Sequence, residues 1–192
     1  GGNVWLDPEK PSPYKFFQYW INTSDADAER YIKIFTMLSK EEINSLIAQH
    51  TEAPHLRILQ NKLAEELTLL VHGREELEKA KKASQILFGN STSADLRTLD
   101  EKTFLEVFDG VPQAEVSATD IAGGLDMIAI LSAKTGFISS NSEARRALKE
   151  NSISVNKEKV GEDYQIGEKD LVDGKFILLQ RGKKNYFIVK KV

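Results

Sequence analysis

The chain has 192 residues, of which 41% are hydrophobic and 29% charged, with a formal net charge of −3 and no cysteine. That length gives room for one or two domains, and the composition is that of a globular protein rather than a disordered or fibrous one. No apolar run is long enough to span a membrane, no signal-peptide pattern opens the chain, and the lack of cysteine excludes disulfides and thiolate metal sites, so a cytoplasmic protein is expected.

Residues 1–13 are rich in Gly and Pro and are predicted to be extended, with Pro8, Pro11 and Pro13 as breakers. The chain opens Gly-Gly rather than Met and reads as a piece of a longer protein. Tyr14 to Ile21 is predicted as a short aromatic helix with Tyr14, Phe17 and Trp20 or Ile21 on one face. Ser24 caps a second helix whose apolar side carries Ala28, Tyr31, Ile34, Phe35 and Leu38. Ser39 and Glu42 form a capping box for a third helix through Ile43, Leu46 and Ile47. After Pro54, the series Leu56, Leu59, Leu63, Leu67 and Leu70 marks a long amphipathic helix stopped by Gly73. Leu77, Ala80, Ser84 and Leu87 mark a fifth, ending at Gly89. Residues 14–90 therefore read as an all-α helical bundle.

Residues 89–100 are polar, and residues 91–114 are expected to be a linker holding one or two helical turns at Glu101–Phe108; Val111–Gly124 reads as loop. Leu125 to Lys134 is predicted as a helix ended by Gly136. A second capping box, Ser140 with Glu143, opens a helix with Ala144, Ala147 and Leu148 on its core side and Arg145, Arg146 and Lys149 outside. The chain turns at Glu150-Asn151 into an alternating strand, Ser152 to Val155, and turns again at Asn156-Lys157. Phe176–Gln180 and Asn185–Val189 are strands joined by Arg181-Gly182-Lys183-Lys184. Residues 115–192 thus read as a small α+β domain, and the whole chain as α+β with an all-α bundle first.

Charge is unevenly spread. Residues 1–114 carry 13 Lys+Arg against 18 Asp+Glu, residues 115–192 carry 13 against 11, and residues 181–192 hold five bases and no acid. The second half is the expected home of a polyanion. A basic helix beside a basic hairpin makes a concave positive surface suited to a folded RNA backbone, because Arg and Lys meet phosphates there. A solvated charged helix explains the same pattern without a ligand. Likewise Tyr186, outward beside Lys183 and Lys184, would stack on a base, while strand alternation with Phe187 explains it structurally. His50, His55 and His72 fall in no His-Glu-x-x-His frame, and the doublets Glu41-Glu42, Glu65-Glu66 and Glu75-Glu76 lie on solvated helix faces. Lys134-Thr135-Gly136 lacks the Gly-rich run of a phosphate loop, and no nucleophile elbow surrounds a serine. No catalytic or metal-binding residue is expected.

Pro11-Ser-Pro-Tyr-Lys-Phe-Phe-Gln-Tyr-Trp-Ile-Asn22, followed by Tyr31-Ile-Lys-Ile-Phe-Thr-Met-Leu-Ser39 and Leu70-Val-His-Gly73, resembles the α-helical anticodon-binding domain of bacterial tyrosyl-tRNA synthetase. Ser140 to Lys159 resembles the small S-four-like RNA-binding domain at that enzyme's C-terminus. The resemblance implies a tRNA-recognition fragment of the ligase, without the catalytic domain and unable to activate tyrosine by itself. It implies binding to the anticodon stem and long variable arm of tyrosine tRNA, in support of aminoacylation by the absent domain. It implies no cofactor in this fragment, with ATP and magnesium used by the full-length enzyme. It also implies a homodimer through the missing catalytic domain, a monomeric fragment, and neither DNA nor a membrane as partner. Position by position, it implies RNA-binding roles for Ser140, Asn141, Ser142, Arg145, Arg146 and Lys149 on the helix. Asn156, Lys157 and Lys159 match the hairpin turn, and Arg181, Lys183 and Lys184 the terminal basic loop. Asn141 and Asn151 stand where relatives often carry a basic residue and a Gly. Asp25 or Asp27 is a candidate to read an anticodon base edge, although the helix dipole already explains an acid in a first turn. Two other readings stay open: a free-standing adaptor for structured ribosomal RNA, and a helical protein–protein scaffold with an exposed apolar patch.

Overall fold

The structure, a computed structural model, describes residues 11–87 and 91–192. The chain divides into two compact units between Ser84 and Gln85. The expected extended segment before Pro11 and the expected helix end at Gly89 lie outside the described residues.

In the first unit, Pro13 starts a helix rather than breaking one. Helix α1 (Pro13–Ile21) is capped by Ser12, whose Oγ accepts from the Lys15 amide, and proline at the first helical position has no amide to leave unpaired. Its core side is Phe16, Phe17 and Trp20. Helix α2 (Asp25–Phe35) is capped by Ser24, and α3 (Lys40–Glu52) by the full Ser39–Glu42 box. The apolar stripe of α2 differs from the expected one: Ala28 and Ile32, four apart, are buried, whereas Ile34 and Phe35 are exposed. A 3-10 turn at Pro54–Leu56 precedes helix α4 (Ile58–Ile86), so Leu56 stands off the helix and is exposed, as is Leu70.

Gly73 interrupts α4 at φ 86°, ψ 172°, a conformation open essentially to glycine. The break lets both arms face one core, Leu59, Leu63 and Leu67 from the first and Leu77 and Ala80 from the second. Lys81 reaches back across the arms to Glu65 at 3.1 Å. A Cβ at Gly73 would meet nothing within 4 Å, so the cost of Gly73→Ala is backbone strain alone, about 1–3 kcal/mol. A thermal melt should fall by at least about 4 °C; an unchanged melting temperature would mean that the break tolerates a side chain.

The second unit is a five-stranded sheet in the order β1-β7-β6-β3-β4. Its strands are β1 (Gln113–Val116), β3 (Ile153–Val155), β4 (Glu158–Lys159), β6 (Phe176–Arg181) and β7 (Asn185–Lys191). β1 lies parallel to β7 and the other pairs are antiparallel. A separate pair joins β2 (Leu125–Asp126) to β5 (Gln165–Ile166). One sheet face, through Ile153, Val155, Ile177, Leu179, Phe187 and Val189, packs on the buried residues of helix α8 (Asn141–Lys149) and of the Ala129–Ala133 π-turn.

Residues 91–114 are not a linker. Thr92 and Asp95 make a capping box for α5 (Ser93–Arg97), and Asp100 caps α6 (Glu101–Val107). Phe104 of α6 stacks on Phe176 at 4.8 Å, and Phe108 packs on Tyr186 at 5.6 Å, so this segment covers the second face of the sheet. The expected loop Val111–Gly124 holds β1 and helix α7 (Ala118–Gly123). The expected helix Leu125–Lys134 opens as a strand, because Leu125 and Asp126 pair with Ile166 and Gln165 forty residues on. β1 and β2 depart for one reason: their hydrogen-bonding partners lie far away in sequence and override local propensity.

Candidate nucleic-acid interface

Helix α8 presents the expected two faces. Ala144, Ala147 and Leu148 are buried, and Arg145, Arg146 and Lys149 are exposed. Ser140, Asn141 and Ser142 are exposed at its start, where Ser140 Oγ accepts from the Glu143 amide at 3.2 Å. The capping box is only half formed. The Glu143 carboxylate instead accepts from Arg181 Nη1 and from Ser139 Oγ, both at 2.7 Å. These two hydrogen bonds, Arg181 first, hold its carboxyl below the usual range. Arg181 is thereby half-buried and tied to α8. Asn151, which ends the turn after α8, has φ 53°, a left-handed conformation that asparagine tolerates in place of glycine.

The arginines and the lysines do not share one concave surface. Arg181 lies opposite Ile153, on the α8 side of the sheet. Ser154, Gln180 and Tyr186 align across β3, β6 and β7 on the other side, with Lys159 opposite Ser154. There, Lys157, Lys159, Lys183 and Lys184 line a cleft that also takes in Ser154, Gln180 and Tyr186, with no acidic side chain in its wall among the described residues. The Gly182–Lys184 loop stands at the sheet's end, where the Gly182 amide donates to Ser152 O at 2.8 Å just after α8. The basic surface therefore wraps around that end.

Two expected contacts change role. Asn156 is 1% exposed. Its Nδ2 donates to Asp170 O at 2.6 Å and its Oδ1 accepts from the Leu178 amide at 2.9 Å. It is a structural residue, closed to RNA. Tyr186 is no open stacking platform: Lys157 Nζ donates to its hydroxyl at 2.9 Å and lies 5.0 Å from its ring centroid, and Phe108 packs on the ring. The same Lys157 ammonium donates to Ile86 O at 2.6 Å.

The sequence reading missed the acids of this surface. Arg145 Nε meets Glu162 Oε1 at 3.1 Å, and Arg146 Nε lies 3.5 Å from Glu150 Oε1. The second pair is legible as an i,i+4 spacing; the first spans 17 residues and leaves no local trace. Among the described residues Lys149, Lys159, Lys183 and Lys184 have no ion pair.

In the first unit, Asp25 Oδ1 accepts from the fully buried Gln60 at 2.7 Å and from the buried His50 at 2.9 Å. These hydrogen bonds, Gln60 first, lower its carboxyl pKa. Arg57 donates to Ile21 O and Thr23 O at 2.8 Å and fixes the turn before α2. Asp27 is exposed beside the Ser24 cap. Among the described residues, no group of three His, Asp or Glu is placed to hold a metal ion, and no helix is long and apolar enough to cross a membrane.

Residues 103–189 match the family of the tyrosine–tRNA ligase SYY-like C-terminal domain, and residues 1–89 match the class I tRNA synthetases (W and Y). The chain thus resembles the C-terminal region of the bacterial tyrosyl-tRNA synthetases. It is 65% identical to a tyrosine–tRNA ligase of Flavobacterium johnsoniae over 192 residues, all of this chain and 44% of that protein. It is 52% identical to one of Bacteroides thetaiotaomicron over 189 residues, 98% of this chain and again 44% of the relative. A third, of Porphyromonas gingivalis, is 50% identical over the same share of each. The chain therefore spans less than half the length of these relatives.

Proposed function

We propose that the chain is the tRNA-recognition part of a tyrosine–tRNA ligase. It binds the anticodon stem and long variable arm of tyrosine tRNA and supports aminoacylation by a catalytic domain outside the chain. The observation that carries this reading is that the residues of the basic surface, from Ser140 to Lys184, fall within the matched C-terminal domain. The mechanism is phosphate neutralisation by Arg145, Arg146 and Lys149 on one side and by Lys159, Lys183 and Lys184 on the other. Lys157 shapes the cleft wall, and Ser140, Asn141 and Ser142 offer polar contacts at the start of α8. ATP and magnesium belong to the catalytic part, as does the contact that makes the whole enzyme a homodimer; this region is monomeric and works in the cytoplasm.

Binding to tyrosine tRNA at two salt concentrations, beside leucine and serine tRNAs, tests the reading. Neutralising about five phosphates gives a slope of log K against log salt of about −3 to −5. Arg145→Ala with Arg146→Ala should weaken tyrosine tRNA binding about tenfold or more and flatten the slope by about 1.5. A slope near zero would defeat the electrostatic mechanism, and equal binding of all three tRNAs would defeat the specificity. One observation favours a protein-contact role for the first unit as well: Ile34, Phe35 and Met37 are exposed close together in sequence, Met37 at 95%.

A further inference from the structure

The sheet face away from α8 changes character along its length. Where α6 lies on it, Phe176 and Leu178 are fully buried, with Phe104 stacked on Phe176. Further along the same face of β6 stands Gln180, and Ser154 lies opposite it on β3. Both are buried polar residues lining the basic cleft, Gln180 9% and Ser154 5% exposed. Gln180 Nε2 donates to Gly182 O at 2.9 Å and to Lys183 O at 3.2 Å. Two carbonyls can only accept, so the amide is fixed with its nitrogen on the loop and its Oε1 turned away from it. Among the described residues no group hydrogen-bonds that Oε1 or the Ser154 hydroxyl, and neither oxygen is sealed from the cleft. A buried polar group without a partner costs free energy. This pair of oxygens sits in a cleft of about 680 Å³, the size of a small-ligand site.

We infer that the cleft is a pocket for one unstacked nucleotide of the bound RNA. Gln180 Oε1 accepts an N–H of the base, the Ser154 hydroxyl donates to the acceptor beside that N–H, and Lys159, Lys183 and Lys184 hold the flanking phosphates. The lysines alone would suit any stretch of backbone. The two oxygens between them do not, because phosphate oxygens only accept and an amide oxygen repels them. A ligand that reaches Gln180 must bring a donor. Every base carries an N–H beside an acceptor on its pairing edge, and that edge is free only in an unpaired nucleotide. Leu87, on the cleft wall, offers an apolar side to the ring. The inference rests on the RNA-binding reading given above and adds to it a base contact, which phosphate neutralisation lacks.

The test uses the 192-residue chain, tyrosine tRNA, a short oligo(U) strand, and the same strand with each base replaced by hydrogen, which keeps every phosphate and 2′-hydroxyl. At low salt, oligo(U) should bind about tenfold or more tighter than the base-free strand. Ser154→Ala removes one hydrogen bond and no charge. It should weaken oligo(U) and tyrosine tRNA about three- to tenfold, leave the base-free strand unaffected, and change no salt slope. Its melting temperature should not fall, since among the described residues the hydroxyl has no partner to lose. Lys183→Ala with Lys184→Ala should instead weaken all three RNAs and flatten their slopes. Equal binding of the two strands, binding of neither, or a Ser154→Ala loss that the base-free strand shares overturns the inference. So does a lower melting temperature, which would make Ser154 a structural residue. If the lysine variant leaves tyrosine tRNA binding and its slope intact, the electrostatic reading of the cleft fails and takes the inference with it. If that variant weakens tRNA binding while Ser154→Ala changes no affinity, the inference alone fails.

Discussion

Phe104→Ala is expected to destabilise the second unit by about 3–5 kcal/mol, the cost of emptying a fully buried aromatic site. Phe104 is wholly buried and stacks on Phe176 at 4.8 Å, with the Phe108 ring 4.9 Å away from it. It is thus the centre of the layer that residues 91–114 lay over the sheet. Around it, Lys175 pairs with Glu101, and the Glu101 amide donates to Asp173 at 2.9 Å, so the layer is also pinned at its rim. Amide hydrogen exchange of β6 and β7 measures the effect, since Ile177, Leu179, Ile188 and Val189 are buried there and open only with the sheet. A substitution in a true linker changes stability by no more than about 0.5 kcal/mol. Protection falling by less than about tenfold would return the segment to that role.

What the sequence disclosed follows the range of the interactions. Ser24, Ser39 and Ser140 cap helices because the cap bond closes within three residues. The Phe176–Arg181 and Asn185–Lys191 hairpin was equally plain, as its register is set by a short loop. Thr92-Ser-Ala-Asp95 was also readable as a capping box, but the polar run around it resembled a loop. β1 could not be read locally, since its hydrogen-bonding partner begins 75 residues later, Gln113 against Ile188. On the candidate surface, residue type was legible and side-chain direction was not. Arg181 turns toward α8 and Lys159 away from it because the pleat sends alternate residues to opposite faces. Which face holds α8 depends on the whole core.

Asn156→Asp is expected to cost about 3–5 kcal/mol at neutral pH, the penalty of an uncompensated buried charge. Asn156 and Lys157 form a two-residue hairpin turn with φ 47° and 72°. The amide of Asn156 bridges that turn to the Asp170 carbonyl and to the Leu178 amide. The introduced carboxyl keeps the acceptor for Leu178, loses the donor, and faces the Asp170 carbonyl oxygen. Nearby groups offer no proton in compensation: Tyr164 already donates to the Asp170 carboxylate, and burial, then that bond, raises its phenol to about 12. Burial raises the carboxyl's folded pKa above its unfolded value of about 3.9. The charge penalty is therefore small below about pH 4, where the group is neutral in both states. It grows as pH rises from the unfolded toward the folded pKa. Urea denaturation at pH 7 and near pH 4 separates the two roles of this residue. A structural Asn156 gives a large loss at pH 7 that shrinks in acid. An RNA-contacting Asn156 gives full stability at both values and loses only tRNA affinity, and that result would reopen the hairpin turn as part of the grip.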